Sequence, residues 1–178
     1  MMKNHALGLK IGNALMFQLG WFICVLMGNF AGVLFTLAGV TIHFFLSRER
    51  VKDLAAIAVA GVMGFAHDFL LMTLGLVRFS EPGLLPPPWL TCLWVLFALT
   101  LNHSLQWIYL RPLWSSVLGC LFAPLSYMAG VHLSSAEWSG SLWAVIPIIA
   151  ALWLFILPVH YLFCRRIEKY VEHRFQIH

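Results

Sequence analysis

The chain has 178 residues, 61% of them hydrophobic and only 10% charged, whereas a soluble domain is about 25% charged. Its mean hydropathy of +0.86 leaves too little polar surface for a water-soluble globule. The formal net charge is +4, but the basic residues are sorted by loop, a membrane-orientation pattern that excludes a nucleic-acid partner.

Apolar runs of about 20 residues recur along the chain, the length that spans a bilayer as a helix. The alternation that a transmembrane barrel needs is absent, so the expected fold is an all-α bundle of about six transmembrane helices in one domain, residues 1–164. The first span is expected over residues 8–27. Lys3 and Lys10 could form the charged start of a signal peptide, but no A-x-A cleavage site follows, so the segment reads as an uncleaved span. A turn at Gly28-Asn29 folds it against a second span, 30–46. The third covers 53–76. Then comes the proline-rich loop "V-R-F-S-E-P-G-L-L-P-P-P", expected to lie against the bundle. The fourth span, 89–110, turns at Arg111-Pro112 into the fifth, 113–132. The sixth is 142–164, and residues 165–178 read as a cytoplasmic amphipathic tail with Ile167, Tyr170, Val171 and Phe175 on one side. Spans one to three show no convincing sequence likeness to spans four to six, which leaves structural pseudo-symmetry open.

This threading places Lys3, Lys10, Arg48, Arg50, Lys52, Arg111, Arg165, Arg166, Lys169 and Arg174 on one side and Arg78 alone on the other. The positive-inside rule then puts both termini in the cytoplasm. Trp89, Trp138 and Trp143 fall at outer ends, and Trp107 and Trp114 at the inner end, as an aromatic belt requires. The four cysteines, Cys24, Cys92, Cys120 and Cys164, read as small apolar core residues. Cys24 and Cys92 fall near one face, which leaves a disulfide open.

Asp68 is the residue that needs explaining. A mid-membrane aspartate costs roughly 2.5–3.5 kcal/mol on insertion scales, so it must face protein or a wet cavity. Gly61, Gly64, Asp68 and Gly75 form one helical stripe, which would let another helix come close. Span five repeats the pattern with Ser116, Gly119, Ala123, Ser126 or Tyr127, and Gly130. Span one does so with Gly8, Gly12, Gly20, Cys24 and Gly28. Depth arithmetic brings Ser126 and Tyr127, then Gln18 and Trp21, to the level of Asp68. His67 is adjacent in sequence and is expected to point about 100° away. In span four, Asn102 and Gln106 share one face and His103 and Trp107 the next. His43 and His160 are expected near the cytoplasmic ends, in reach of water, and His132 at the outer edge.

Asp68, Tyr127 and Asn102 are therefore the candidate catalytic residues, and Gln18, Trp21, His67, His103, Gln106 and Ser126 the candidate binding residues. There is no H-E-x-x-H, no H-x-x-x-H and no paired carboxylates, and no metal site is expected. His43, His103 and His160 share the cytoplasmic half, but nothing fixes their rotation. Phosphate-binding loops, the dinucleotide fingerprint and the serine nucleophile elbow are absent, so no cofactor is specified.

The stretches "F-Q-L-G-W-F-I-C-V-L", the Asp68 span, "W-L-T-C-L-W-V-L-F-A-L-T-L-N-H-S-L-Q-W" and "A-P-L-S-Y-M-A-G" together resemble a family of small bacterial inner-membrane proteins known only as a domain of unknown function. The resemblance covers nearly the whole chain. It departs at Ala123 to Tyr127, where the family more often shows G-P-L-A-Y. The matching residues are Gln18, Trp21, Asp68, Asn102 and Tyr127, which implies one shared polar site. The resemblance also implies a setting in lipid metabolism, beside fatty-acid-modifying methyltransferases. Partners would be the lipid bilayer and other membrane proteins or lipid-modifying enzymes. Three readings follow: an enzyme or binding protein for an apolar substrate, a small proton-coupled transporter in which Asp68 titrates, or an accessory subunit whose polar groups only hold helices together.

Overall fold

The computed structural model of the protein describes residues 2–79 and 83–175. Six helices follow in order: α1 Met2–Leu46, α2 Arg50–Thr73, α3 Pro88–Leu101, α4 Gln106–Tyr109, α5 Pro112–Leu133 and α6 Leu142–Phe175. Two short strands, β1 Val77–Arg78 and β2 Glu137–Trp138, pair antiparallel with Val77 opposite Trp138 and Arg78 opposite Glu137. Helices satisfy their own backbone groups, which an apolar medium demands. Four of them, α1, α2, α5 and α6, are long and apolar enough to cross a membrane, and α3 is a shorter apolar helix. The protein is an all-α, multi-pass membrane bundle.

α1 is two helices in one run. Gly28 breaks it with φ 71° and ψ −153°, a backbone region essentially restricted to glycine. The two arms return against each other. A Cβ on Gly20 would lie 2.7 Å from the Phe35 ring, and one on Gly32 would lie 3.0 Å from Cys24 Sγ. The sequence-based turn is therefore where the chain reverses. Asn29 Oδ1 accepts the Trp89 backbone N–H at 3.1 Å and ties this turn to the start of α3.

α2 ends three residues earlier than the predicted third span. The Leu76 N–H bonds Leu71 O and the Gly75 N–H bonds Met72 O, with Gly75 at φ 65°. That is a Schellman C-cap, so Gly75 terminates the helix instead of extending its small-residue stripe. Gly61 is also off the packed face, since a Cβ there would meet nothing within 4 Å. The buried face of α2 is Asp53, Ala56, Ala60, Gly64, His67, Asp68 and Leu71. Gly8 and Gly12 likewise meet nothing within 4 Å, so of the expected glycine stripe of span one Gly20 is the first to be closely packed.

The predicted fourth span is interrupted. α3 ends at Leu101, and residues 102–105 form a turn in which the His103 and Leu105 N–H groups both reach Thr100 O. The cause is polar side chains that find better partners off the helix. Asn102 and His103 bond Asp53, and Ser104 bonds Asn13. Asn102 and Gln106 consequently do not share a helical face, and Gln106 and Trp107 are exposed.

α3 packs between α1 and α2, while α6 packs against α5 and α2. Pro124 sits inside α5, and Pro147 and Pro158 inside α6. The expected tail is no separate element: α6 continues through it to Phe175, a helix about 51 Å long. Val77, Pro86 and Pro87 are buried, so the two ends of the outer loop lie against the bundle, whereas Leu84 and Leu85 are exposed. Its Ser80, Glu81 and Pro82, the last three residues of the tail and the side chains of Lys3 and Phe175 lie outside the described residues. All four cysteines are free, with Cys24 and Cys92 in one apolar cluster.

Replacing Gly28 by alanine forces a side chain into a disfavoured backbone region. The expected loss is about 1–3 kcal/mol, read as a lower unfolding midpoint in detergent. An unchanged midpoint would show that the hairpin does not depend on this conformation.

Candidate functional site

Two carboxylates on α2 organise the polar interior. Asp68 is 2% exposed. The Trp94 indole N–H donates to its Oδ2 at 2.8 Å, and His67 Nδ1 stands 2.9 Å from Oδ1. The Tyr127 hydroxyl donates to Oδ1 in a short bond and lies 3.1 Å from His67 Nδ1. His67 does not diverge from its neighbour as expected: both residues fall within the broad buried face of α2, and the ring folds back onto the carboxylate.

The helices hold this arrangement through glycine gaps. Gly64 lies one turn before Asp68, and a Cβ there would sit 2.1 Å from the Trp94 ring. Only glycine lets the indole lie against α2 and reach one turn further to the carboxylate. Trp94 stacks on Trp153 of α6 at 5.1 Å and 17°. Trp153 is in turn accommodated by Gly119 of α5, whose Cβ would lie 3.1 Å from the Trp153 carbonyl oxygen. A continuous stack therefore crosses α2, α3, α6 and α5. Two buried ring nitrogens in it, His67 Nε2 and Trp153 Nε1, have no hydrogen-bond partner among the described residues.

Beside the stack is a cavity of about 400 Å³, lined by Phe17, Trp21, Phe122, Tyr127 and Trp153 among others. Trp94 and Tyr127 are both in its wall, with Asp68 behind them. The cavity lies between the first arm of α1 and α5. Trp21 Nε1 donates to Ser126 Oγ at 3.2 Å across that gap. Ser126 is exposed, and Phe122, which also lines the cavity, is 62% exposed. The opening thus faces the outer side of the bundle.

The second carboxylate is Asp53, at the start of α2 and wholly buried. His43 Nε2 from the second arm of α1 stands 2.9 Å from Oδ2, which also accepts from Ser47 Oγ. From the 102–105 turn, His103 Nε2 lies 3.0 and 3.1 Å from the two oxygens, and Asn102 Nδ2 lies 3.2 Å from Oδ1. His43 is therefore buried and bonded rather than bathed in water. His160 is also buried: its Nε2–H donates to Ala56 O at 3.0 Å, so its Nδ1 accepts the Tyr109 hydroxyl at 2.8 Å. His132 is exposed at the other end, as expected.

Of the residues singled out from sequence, Asp68, His67 and Tyr127 meet directly, and Trp21 and Ser126 meet at the cavity rim. Asn102 and His103 belong to the Asp53 cluster. Gln18 and Gln106 are exposed and join neither. Sequence reasoning missed Trp94, Ser47 and Asp53 as site residues, and it grouped His43 with His103 without anything to fix their rotation. Asp53 had a signal: an acidic residue amid Arg48, Arg50 and Lys52, yet followed at once by an apolar run.

Asp68→Leu leaves the Trp94 indole N–H without an acceptor and only one bond to share between Tyr127 and His67, at about 1–3 kcal/mol for each buried group left unpaired. Asp68→Asn keeps an acceptor, so folded yield in mild detergent should fall far more for the leucine variant. Gly64→Ala should overpack by about 1–3 kcal/mol and displace the indole, seen as a lower unfolding midpoint with altered tryptophan fluorescence. An alanine variant with wild-type midpoint and emission would contradict the stated role of Gly64.

No curated protein and no solved structure matches the chain. The family model described as "Protein of unknown function (DUF2878)" matches residues 10–159. That stretch contains both carboxylate clusters and the cavity lining, and the chain belongs to this family.

Proposed function

We propose that the protein acts in the bacterial inner membrane, taking an apolar, lipid-derived molecule into the aromatic cavity. Tyr127 contacts its polar end, backed by Asp68 and His67. The observation that carries this reading is the cavity itself. Its volume of about 400 Å³ falls in the range of small-molecule sites. Its lining is mostly aromatic and aliphatic, with Tyr127 and Ser126 as polar points. Its opening between α1 and α5 faces outward, where acyl chains would lie. A tyrosine bonded to a carboxylate and an imidazole is also equipped to exchange a proton with a bound head group.

A second reading is an accessory subunit, partner to other membrane proteins or lipid-modifying enzymes. It is favoured by the bonding of Asp68, whose three donors are what a structural strut would gather.

The two readings separate on bound lipid. Protein purified in mild detergent should retain about one lipid-class molecule per chain, detected by mass spectrometry after extraction. Ala123→Phe fills the cavity from α5 and should abolish that retention while the chain stays folded. Tyr127→Phe, which keeps the shape but not the hydroxyl, should lower it. Retention equal to wild type in a folded Ala123→Phe protein would mean that the lipid sits on the outer surface, and the accessory reading would lead.

A further inference from the structure

We propose that His43, Asp53 and His103 form a binding site for one zinc-class divalent cation at the basic end of the bundle. The site is separate from the cavity: Asp53 and Asp68 lie fifteen positions apart on α2, about 22 Å along its axis. The three residues come from three elements, and their ligand atoms all lie within 4.8 Å of one another. Two imidazoles and one carboxylate are the ligand set of many catalytic zinc sites and suit other borderline divalent ions.

The geometry goes beyond proximity. Ser47 bonds one oxygen of Asp53 and Asn102 the other, so the carboxylate is oriented without either imidazole. Both imidazoles nevertheless present Nε2 to it, with ring centroids 4.7 Å apart at 81°. Their 2.9–3.1 Å approaches to the carboxylate are close to the edge of a coordination polyhedron, about 3.4 Å for tetrahedral bonds near 2.1 Å. Small side-chain rotations would therefore let one ion enter between them. Ligation through Nε2 requires each imidazole to be neutral with its remaining proton on Nδ1. Ser47 and Asn102 are placed as the outer bonds that hold a ligating carboxylate. The break in α3 has a purpose on this account, since it carries both Asn102 and His103 to one carboxylate. His103 is 25% exposed at its side chain, whereas Asp53 is 0%. Access, and the remaining coordination position, lie on the His103 side.

The test is titration of the purified full chain, bearing a histidine-free affinity tag, with Co²⁺ in mild detergent. One equivalent should bind, with visible d–d absorption, no thiolate charge-transfer band, and displacement by Zn²⁺. His103→Gln, which can still bond Asp53, should lose this binding. His132→Gln, at the far end, should keep it. Ser47→Ala should weaken it about ten-fold or more. No saturable binding by folded wild-type protein overturns the proposal, as does undiminished binding in His103→Gln. A strong thiolate band in the wild-type spectrum would also overturn it, because no cysteine is in the proposed set, and that readout does not depend on any variant folding.

Discussion

A carboxylate inside an apolar medium must be surrounded by donors, and α2 carries two such groups on one buried face. Asp68 and Asp53 each recruit partners from helices distant in sequence. Asp68 takes Trp94 from α3 and Tyr127 from α5, and Asp53 takes His43 from α1 and two residues from the 102–105 turn. Lipid offers no substitute donors, so leaving either group unpaired costs several kcal/mol. The two carboxylates thereby specify how α1, α3 and α5 meet α2. Apolar packing alone would not, because acyl chains solvate leucine as well as another leucine does.

The glycines make these polar contacts reachable. Gly64 admits the Trp94 ring, and Gly119 admits Trp153. The aromatic stack that results is both the support of Asp68 and one wall of the cavity. Support and binding surface are the same side chains, so a change to either is felt by the other. This coupling is why a structural and a ligand-binding role for Asp68 are compatible.

The helical class, the reversal at Gly28 and the burial of Asp68 against protein were legible because they rest on run length, glycine and charge, which are local properties. Tyr127 was reachable by depth alone, since Asp68 and Tyr127 lie at matching levels on their helices. Rotation was not legible. Nothing in the sequence turns Trp94 inward while leaving Gln18 outward; that choice is made by neighbouring helices. The break after Leu101 was hidden for a related reason. "T-L-N-H-S-L-Q" continues a helical pattern until Asp53 and Asn13 offer its polar side chains something better. Asp53 was obscured by its place at the boundary of a basic loop, where a charged residue ordinarily meets water.

The short ladder between β1 and β2 bears on the order of assembly. It pairs residues 77 and 138, so it cannot close until α5 has been threaded and the chain has returned to the same face. The contacts of α1 and α2 with α3 involve only residues before 102 and can form while the rest is still being synthesised. The Asp68 carboxylate therefore meets Trp94 first and waits for Tyr127. The ladder then latches the end of α2 to the end of α5, ahead of the α6 that completes the bundle. Until Tyr127 arrives, the half-built bundle holds Asp68 with an incomplete set of donors.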